Sequence, residues 1–202
     1  MIWLIVGLVL FLGAHSVRIF AEDWRTQKRE AWGELPFKGA YTVVSVLGFV
    51  ALIMGYGEAR LQPLALWTPP IATRHVSILL MLFASVLLVA TYVPRNHLKL
   101  RLKHPMVLSV KVWALSHLLA NGNLADVVLF GSFLIWAVLN FRAARARDRL
   151  HALPEDASEE ANPSTPAPNV MATLVTLAVG GGLWALFTFV LHAKWIGVAP
   201  LS

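Results

Sequence analysis

The sequence predicts an all-α polytopic membrane helix bundle, with about six transmembrane helices and both termini outside. Three observations lead there. First, 57% of the 202 residues are hydrophobic and only 14% are charged, with a mean hydropathy of +0.65. A water-soluble domain carries about a quarter charged residues, and a disordered chain is poorer still in apolar ones. Second, the apolar residues gather into runs of roughly 17–25, the length a helix needs to cross a ~30 Å hydrocarbon core. Third, lipid offers no water to backbone groups, so spans are helices or closed barrels, and runs without polar–apolar alternation exclude the barrel.

The runs are Ile2–Phe20, Gly39–Tyr56, His75–Tyr92, Met106–Ala120, Leu124–Phe141 and Val170–His192. The first has no basic residue before it, exceeds a secretory h-region in length and lacks a clean small-x-small cleavage site, so it is expected to be a retained span. The fourth is short and carries Lys111 and His117. Its inclusion rests on charge placement, because basic loops stay on the cytoplasmic side. Arg18 lies at the end of run one, and Arg25, Lys28, Arg29 and Lys38 follow it. Arg95, Lys99, Arg101 and Lys103 follow run three, and Arg142, Arg145, Arg147 and Arg149 follow run five. Thirteen of the seventeen Lys and Arg therefore fall in alternate loops, as six spans require. The net charge of +6 is thus mainly a topology signal, and a nucleic-acid partner is not expected.

Residues 1–150 read as a five-helix membrane domain. Residues 151–169 are a flexible cytoplasmic linker, acidic and Pro-rich from Pro154 to Asn169 and without apolar periodicity. Residues 170–202 carry the last transmembrane helix, completing the bundle. Its Gly180-Gly181-Gly182 triplet admits either a closely packed helix or a flat ligand.

The absence of cysteine excludes disulfides, thiolate metal sites, c-type haem attachment and a Cys nucleophile. No phosphate-binding glycine loop, Ser–His–Asp order or H-E-x-x-H helix is present. The informative residues are then ionisable groups within apolar runs, where a charge costs ~2.5–3.5 kcal/mol at mid-bilayer. His15, Arg18 and Glu22 recur at i, i+3 and i+7, along one face of a helix nearing the cytoplasmic surface. That face suits a ligand histidine with an Arg–Glu pair for a cofactor carboxylate or a head group. It equally suits an arginine snorkelling to the interface. In run four Lys111 nearly eclipses His104, whereas His117 faces elsewhere, flanked by Trp113 and Asn121 at i−4 and i+4. His117 is either a ligand or a helix–helix hydrogen-bonding group. His75 and His192 lie near the outer interface, where solvation is the ordinary role of a histidine.

The strings GAHS (Gly13–Ser16), WGE (Trp32–Glu34), LW (Leu66–Trp67) with His75 following, and KHPMVLSVKVWALSHLLANGN (Lys103–Asn123) resemble the NnrU family. That family also contains plant 15-cis-zeta-carotene isomerase. The resemblance implies a multi-pass protein of the bacterial cytoplasmic (inner) membrane, associated with nitrogen-oxide metabolism and denitrification. It further implies a b-type haem held by two histidines, and redox-linked or isomerase-like chemistry on a small or lipophilic substrate. The axial ligands of the plant relative fall on His15 and His117. Together with Arg18, His104, Trp113 and Asn121 they make the candidate cofactor site. The plant enzyme has a cysteine three residues before the second ligand where this chain has Ala114, so a thiolate switch is absent here. Lys103 and Ser109 replace a common Arg and Gly. At ~1.5 Å per residue, His15 and His117 differ in depth by roughly 10 Å across a ~30 Å core, unless run one starts outside the core or run four begins below it. Pairing of His15 with His104, or of His117 with His75, remains open at this point. Two other readings compete. One is a membrane methyltransferase holding S-adenosylmethionine at Lys103-His104. The other is a non-enzymatic transporter or assembly factor.

Overall fold

The computed structural model describes residues 1–150 and 167–200. Most of the expected linker thus lies outside the described residues. The elements are α1 (Ile2–Phe20), α2 (Glu22–Trp32), α3 (Glu34–Leu61), α4 (Ile71–Tyr92), α5 (His97–Leu102), α6 (Pro105–Ala120), α7 (Leu124–Leu150) and α8 (Val170–Leu186), which continues as a π-helix over Phe187–Ile196. No strand occurs among the described residues beyond one isolated bridge, Ala65 to Asn123.

Five helices are long and apolar enough to cross a membrane: α1, α3, α4, α7 and the continuous Val170–Ile196. The sixth apolar helix, α6, has 16 residues. At ~1.5 Å each it covers roughly 24 Å, short of a ~30 Å core. Helices outrun the apolar runs that revealed them: α3 spans Glu34–Leu61 and α7 reaches Leu150. Hydropathy registers the apolar core, while the helical hydrogen bonds continue through the charged turns beyond it. Large side chains such as Leu47, Ile53 and Met54 on α3 face outward, more than half exposed, whereas the buried positions of that helix are Gly48, Leu52, Gly55 and Ala59. Apolar bulk outside and small residues inside is the arrangement lipid favours, since helices there associate by close packing.

The chain divides into two compact units. The first comprises Met1–Thr68 and Asn121–Asn140; the second comprises Pro69–Ala120 and the described residues from Phe141 onward. In the first unit α1 and α3 approach backbone to backbone. A Cβ on Gly48 would lie 2.6 Å from Phe11 N, and one on Gly55 would collide with Leu4 N. Leu4, Leu8, Leu12, Leu52, Ala59 and Ala125 form the buried core, with Phe11, Tyr56, Phe133 and Trp136 packed on it. The segment after α3 is pinned to the start of α7. The Leu66 and Trp67 N–H groups donate to Gly122 O at 2.8 and 3.2 Å, and Leu124 N–H donates to Leu64 O at 2.9 Å. Two separate strings of the resemblance, Leu66–Trp67 and Asn121–Asn123, thereby meet. Asp126 is 3% exposed. It accepts from the Tyr56 hydroxyl at 2.6 Å and from the Asn123 backbone N–H and side-chain amide at 3.2 and 3.0 Å. As the third residue of α7, it supplies the carboxylate half of a capping box on Asn123.

In the second unit α4 packs on α6 and α8. Ser77 and Ser116 exchange hydrogen bonds: each hydroxyl donates to the other's carbonyl oxygen at 2.8 Å. Two turns along the pair, Ser109 Oγ donates to Ala84 O at 2.7 Å. With Ala84, Ala114, Ser109 and Ser116 all buried, this seam is narrow and its hydroxyls are satisfied by backbone, as a low-dielectric interior requires. Of the glycine triplet, Gly180 alone makes a close approach; a Cβ there would lie 2.7 Å from Val86 Cα, while Gly181 and Gly182 have nothing within 4 Å. Gly180 therefore serves helix packing. Buried Asn96 links α4 to α5, donating to Ala90 O and Val93 O at 2.9 and 2.6 Å and capping α5 through Lys99 N–H at 2.8 Å.

Candidate functional site

In the first unit, His15 sits on the last two turns of α1, partly buried among Phe11, Tyr41 and Trp136, with ring-centroid separations of 4.3, 5.3 and 6.2 Å. Its Nδ1 lies 2.7 Å from Phe11 O. A carbonyl can only accept, so this contact places a proton on Nδ1 and turns Nε2 away from the helix backbone, the orientation in which a histidine ligates a metal through Nε2. Trp136 presents the edge of the stack (interplanar 84°), and its Nε1 is buried without a hydrogen-bond partner.

One end of this histidine opens on a cavity of ≈ 300 Å³ lined by Ala14, Val17, Phe37 and Tyr41 and by Arg18, Arg25, Arg29 and Lys38. That volume is at the lower end for small-ligand sites. The expected single face of His15, Arg18 and Glu22 needs one correction. Helix α1 stops at Phe20, Ala21 leaves helical geometry (φ −142°, ψ 48°), and Glu22 opens α2. The Arg–Glu pair nevertheless forms, with Arg18 Nε 3.7 Å from Glu22 Oε2. Glu22 Oε1 also accepts from Arg25 at 3.1 Å. Lys38 pairs with Glu34 at 2.6 Å. Arg25, Arg29, Lys38, Tyr41 and Trp136 are the members that spacing along the sequence missed. The three cations had registered only as topology charges, and Tyr41 and Trp136 reach the site from other helices.

The remaining candidates are distributed as follows. In the second unit, His104 precedes Pro105, the first residue of α6, as the sequence indicates. Its Nε2 lies 3.0 Å from Asp148 Oδ2, and Arg145 adds a 3.7 Å contact to the same oxygen. His104 and Lys111 share Phe141, at 6.2 Å between rings and 5.6 Å from Nζ to centroid, which bears out their common face. His104 is therefore committed to a carboxylate, an engagement that spacing alone did not reveal. His117 lies 5.3 Å from Trp113 between ring centroids, and its Nδ1 is 3.0 Å from Trp113 O, repeating the His15 geometry. Ala114, where the plant relative has cysteine, is fully buried. Asn121 follows the end of α6 and belongs to the first unit. His75 is exposed, and His192 Nδ1 lies 2.6 Å from Val198 O at the end of the π-helix. Among the described residues no group of three or more His, Cys, Asp or Glu could hold a metal ion.

The donor chemistry around His15 fits a haem. It combines an imidazole held at Nδ1 by a backbone carbonyl, flat aromatic neighbours for a macrocycle, and the Arg18 guanidinium nearby for a carboxylate. No curated protein and no solved structure matches the chain. The family model described as NnrU protein matches residues 3–200, nearly the whole chain, and the chain accordingly belongs to the NnrU family.

Proposed function

We propose that this NnrU-family member binds b-type haem through His15 and carries out redox-linked or isomerase-like chemistry on a small or lipophilic substrate in the bacterial cytoplasmic membrane, in the setting of nitrogen-oxide metabolism. The supporting observation is the fixed orientation of His15, whose Nδ1–H is held by Phe11 O at 2.7 Å inside an aromatic surround. When bound, the haem would supply one-electron chemistry. The chain's part would be to hold the group through His15, to keep that imidazole from rotating and to flank it with Phe11, Tyr41 and Trp136. His117 has the same backbone-held Nδ1 and is the second ligand that the resemblance implies.

Protein purified from haem-replete cells is expected to show a Soret band that His15→Ala abolishes and His117→Ala shifts. A Soret-silent wild type, or a spectrum unchanged in His15→Ala, overturns the reading.

The same proposal takes α6 as a sixth span and places both termini outside. The cysteine-free chain makes the test simple. Gln27→Cys is expected to react with a membrane-impermeant maleimide only after the cells are permeabilised, and Gln62→Cys on intact cells. The reverse pattern refutes the orientation.

A further inference from the structure

We propose that the cationic cavity beside His15 binds the phosphate head group of an anionic amphiphile drawn from the bilayer, with Arg25 and Arg29 as the gripping pair. This goes beyond the haem reading and does not depend on it. Basic residues in a cytoplasmic loop satisfy the topology rule wherever they point; here Arg18, Arg25, Arg29 and Lys38 converge on one cavity from α1, α2 and α3.

The charges there do not balance. Glu22 is shared between Arg18 and Arg25, and Glu34 takes Lys38. Among the described residues Arg29 has no carboxylate at ion-pairing distance. Four cations thus face two carboxylates, an excess of two charges that a phosphodiester monoanion would halve and a phosphomonoester dianion would neutralise. Arg25 and Arg29 lie at i and i+4 on α2, so they are neighbours on one face of the helix and both line the cavity. A guanidinium offers five N–H donors in a plane, and Glu22 occupies one edge of Arg25, orienting it while leaving the rest for phosphate oxygens.

Helix α2 also indicates where the ligand comes from. Trp24, Lys28 and Trp32 recur at i, i+4 and i+8, with both indoles about half exposed and Lys28 Nζ 5.7 Å from the Trp32 ring. Asp23 and Glu30 lie on a different face, and the exposed Phe20 precedes the helix. Indoles and a lysine on one stripe with acids elsewhere characterise a helix lying in the membrane interface. Such a helix sets the cavity at head-group depth. The apolar lining of Ala14, Val17 and Phe37 then accepts the glycerol or first methylenes of the amphiphile, a contact inorganic phosphate cannot make.

The full-length protein, purified in neutral detergent, would be equilibrated with vesicles of phosphatidylcholine alone or mixed with phosphatidylglycerol. Retained lipid would be read by native mass spectrometry, with inorganic phosphate as competitor. Preferential retention of phosphatidylglycerol is expected. Each basic contact to an anionic head group is worth about fivefold, so Arg25→Gln/Arg29→Gln should reduce retention by roughly thirtyfold. Arg29→Gln, which breaks no ion pair, should reduce it about fivefold and guards against misfolding of the double variant. Lys28→Gln, on the indole stripe outside the cavity, should leave retention nearly unchanged. Equal retention of both lipids, an equal loss in Lys28→Gln, or displacement by inorganic phosphate at matching concentration overturns the proposal. His15→Ala is expected to keep the lipid, so failure of the haem reading and failure of this one are distinguishable.

Discussion

Gly55→Leu is expected to unfold the first unit in detergent, whereas Gly57→Leu, one helical turn's fraction away, should leave its stability within about 0.5 kcal/mol of the parent. The reason lies in the α1–α3 contact. A Cβ on Gly55 would collide with the backbone nitrogen of Leu4 and sit 2.7 Å from Leu4 Cα; a Cβ on Gly57 would meet nothing within 4 Å. The obstacle at Gly55 is backbone, which cannot rotate aside as a side chain would. Overpacking a core costs about 1–3 kcal/mol even where side chains can yield, and here two helices must separate along their length. Gly7 and Gly48 make the same kind of contact, so no flanking turn offers room for a compensating shift. Parting α1 from α3 would also part His15 from Tyr41, whose rings are 5.3 Å apart. The measurement is the thermal unfolding midpoint of the purified variants together with their elution profiles. A midpoint for Gly55→Leu equal to that of Gly57→Leu would sink the assignment.

The sequence made the apolar helices legible because a run of roughly 20 apolar residues has few other uses. The partners of those helices were not legible. The spacing of Gly48 and Gly55, two turns apart on one face, is a packing signal only once a second helix is known to carry Gly7 opposite. The Gly180-Gly181-Gly182 triplet attracted attention by composition, yet only Gly180 touches a neighbour closely. The same holds for the site. His15 and Arg18 stood out as polar groups at the end of an apolar run, while Arg25, Arg29 and Lys38 were indistinguishable from any cytoplasmic loop charge. The break at Ala21 that folds them toward His15 carries neither proline nor glycine. His104 looked like a free ligand because Asp148 lies 44 residues away in sequence.

Asp126→Leu is expected to lower the stability of the first unit by about 3 kcal/mol, a sum of lost hydrogen bonds to a charged acceptor at about 1.5–3 kcal/mol each, offset in part by the apolar replacement. The carboxylate serves three donors at once: the Tyr56 hydroxyl, the Asn123 backbone N–H and the Asn123 amide. It also stands in the first turn of α7, where the helix dipole favours a negative group. Leucine can fill the volume, but it leaves a phenol and two N–H groups to find new partners in a buried place. Tyr56→Phe removes one donor cleanly and is expected to cost about 1.5 kcal/mol. Asp126→Asn, which keeps an acceptor oxygen, should fall between the two. The consequence reaches the site because the same helix carries Trp136, ten residues or ~15 Å further on, against His15. A loosened α7 start frees that indole and exposes the imidazole. Modification of His15 by diethyl pyrocarbonate, followed by peptide mass spectrometry, should therefore be faster in Asp126→Leu than in Tyr56→Phe. An unchanged midpoint with an unchanged modification rate would mean that Asp126 neither anchors α7 nor positions Trp136.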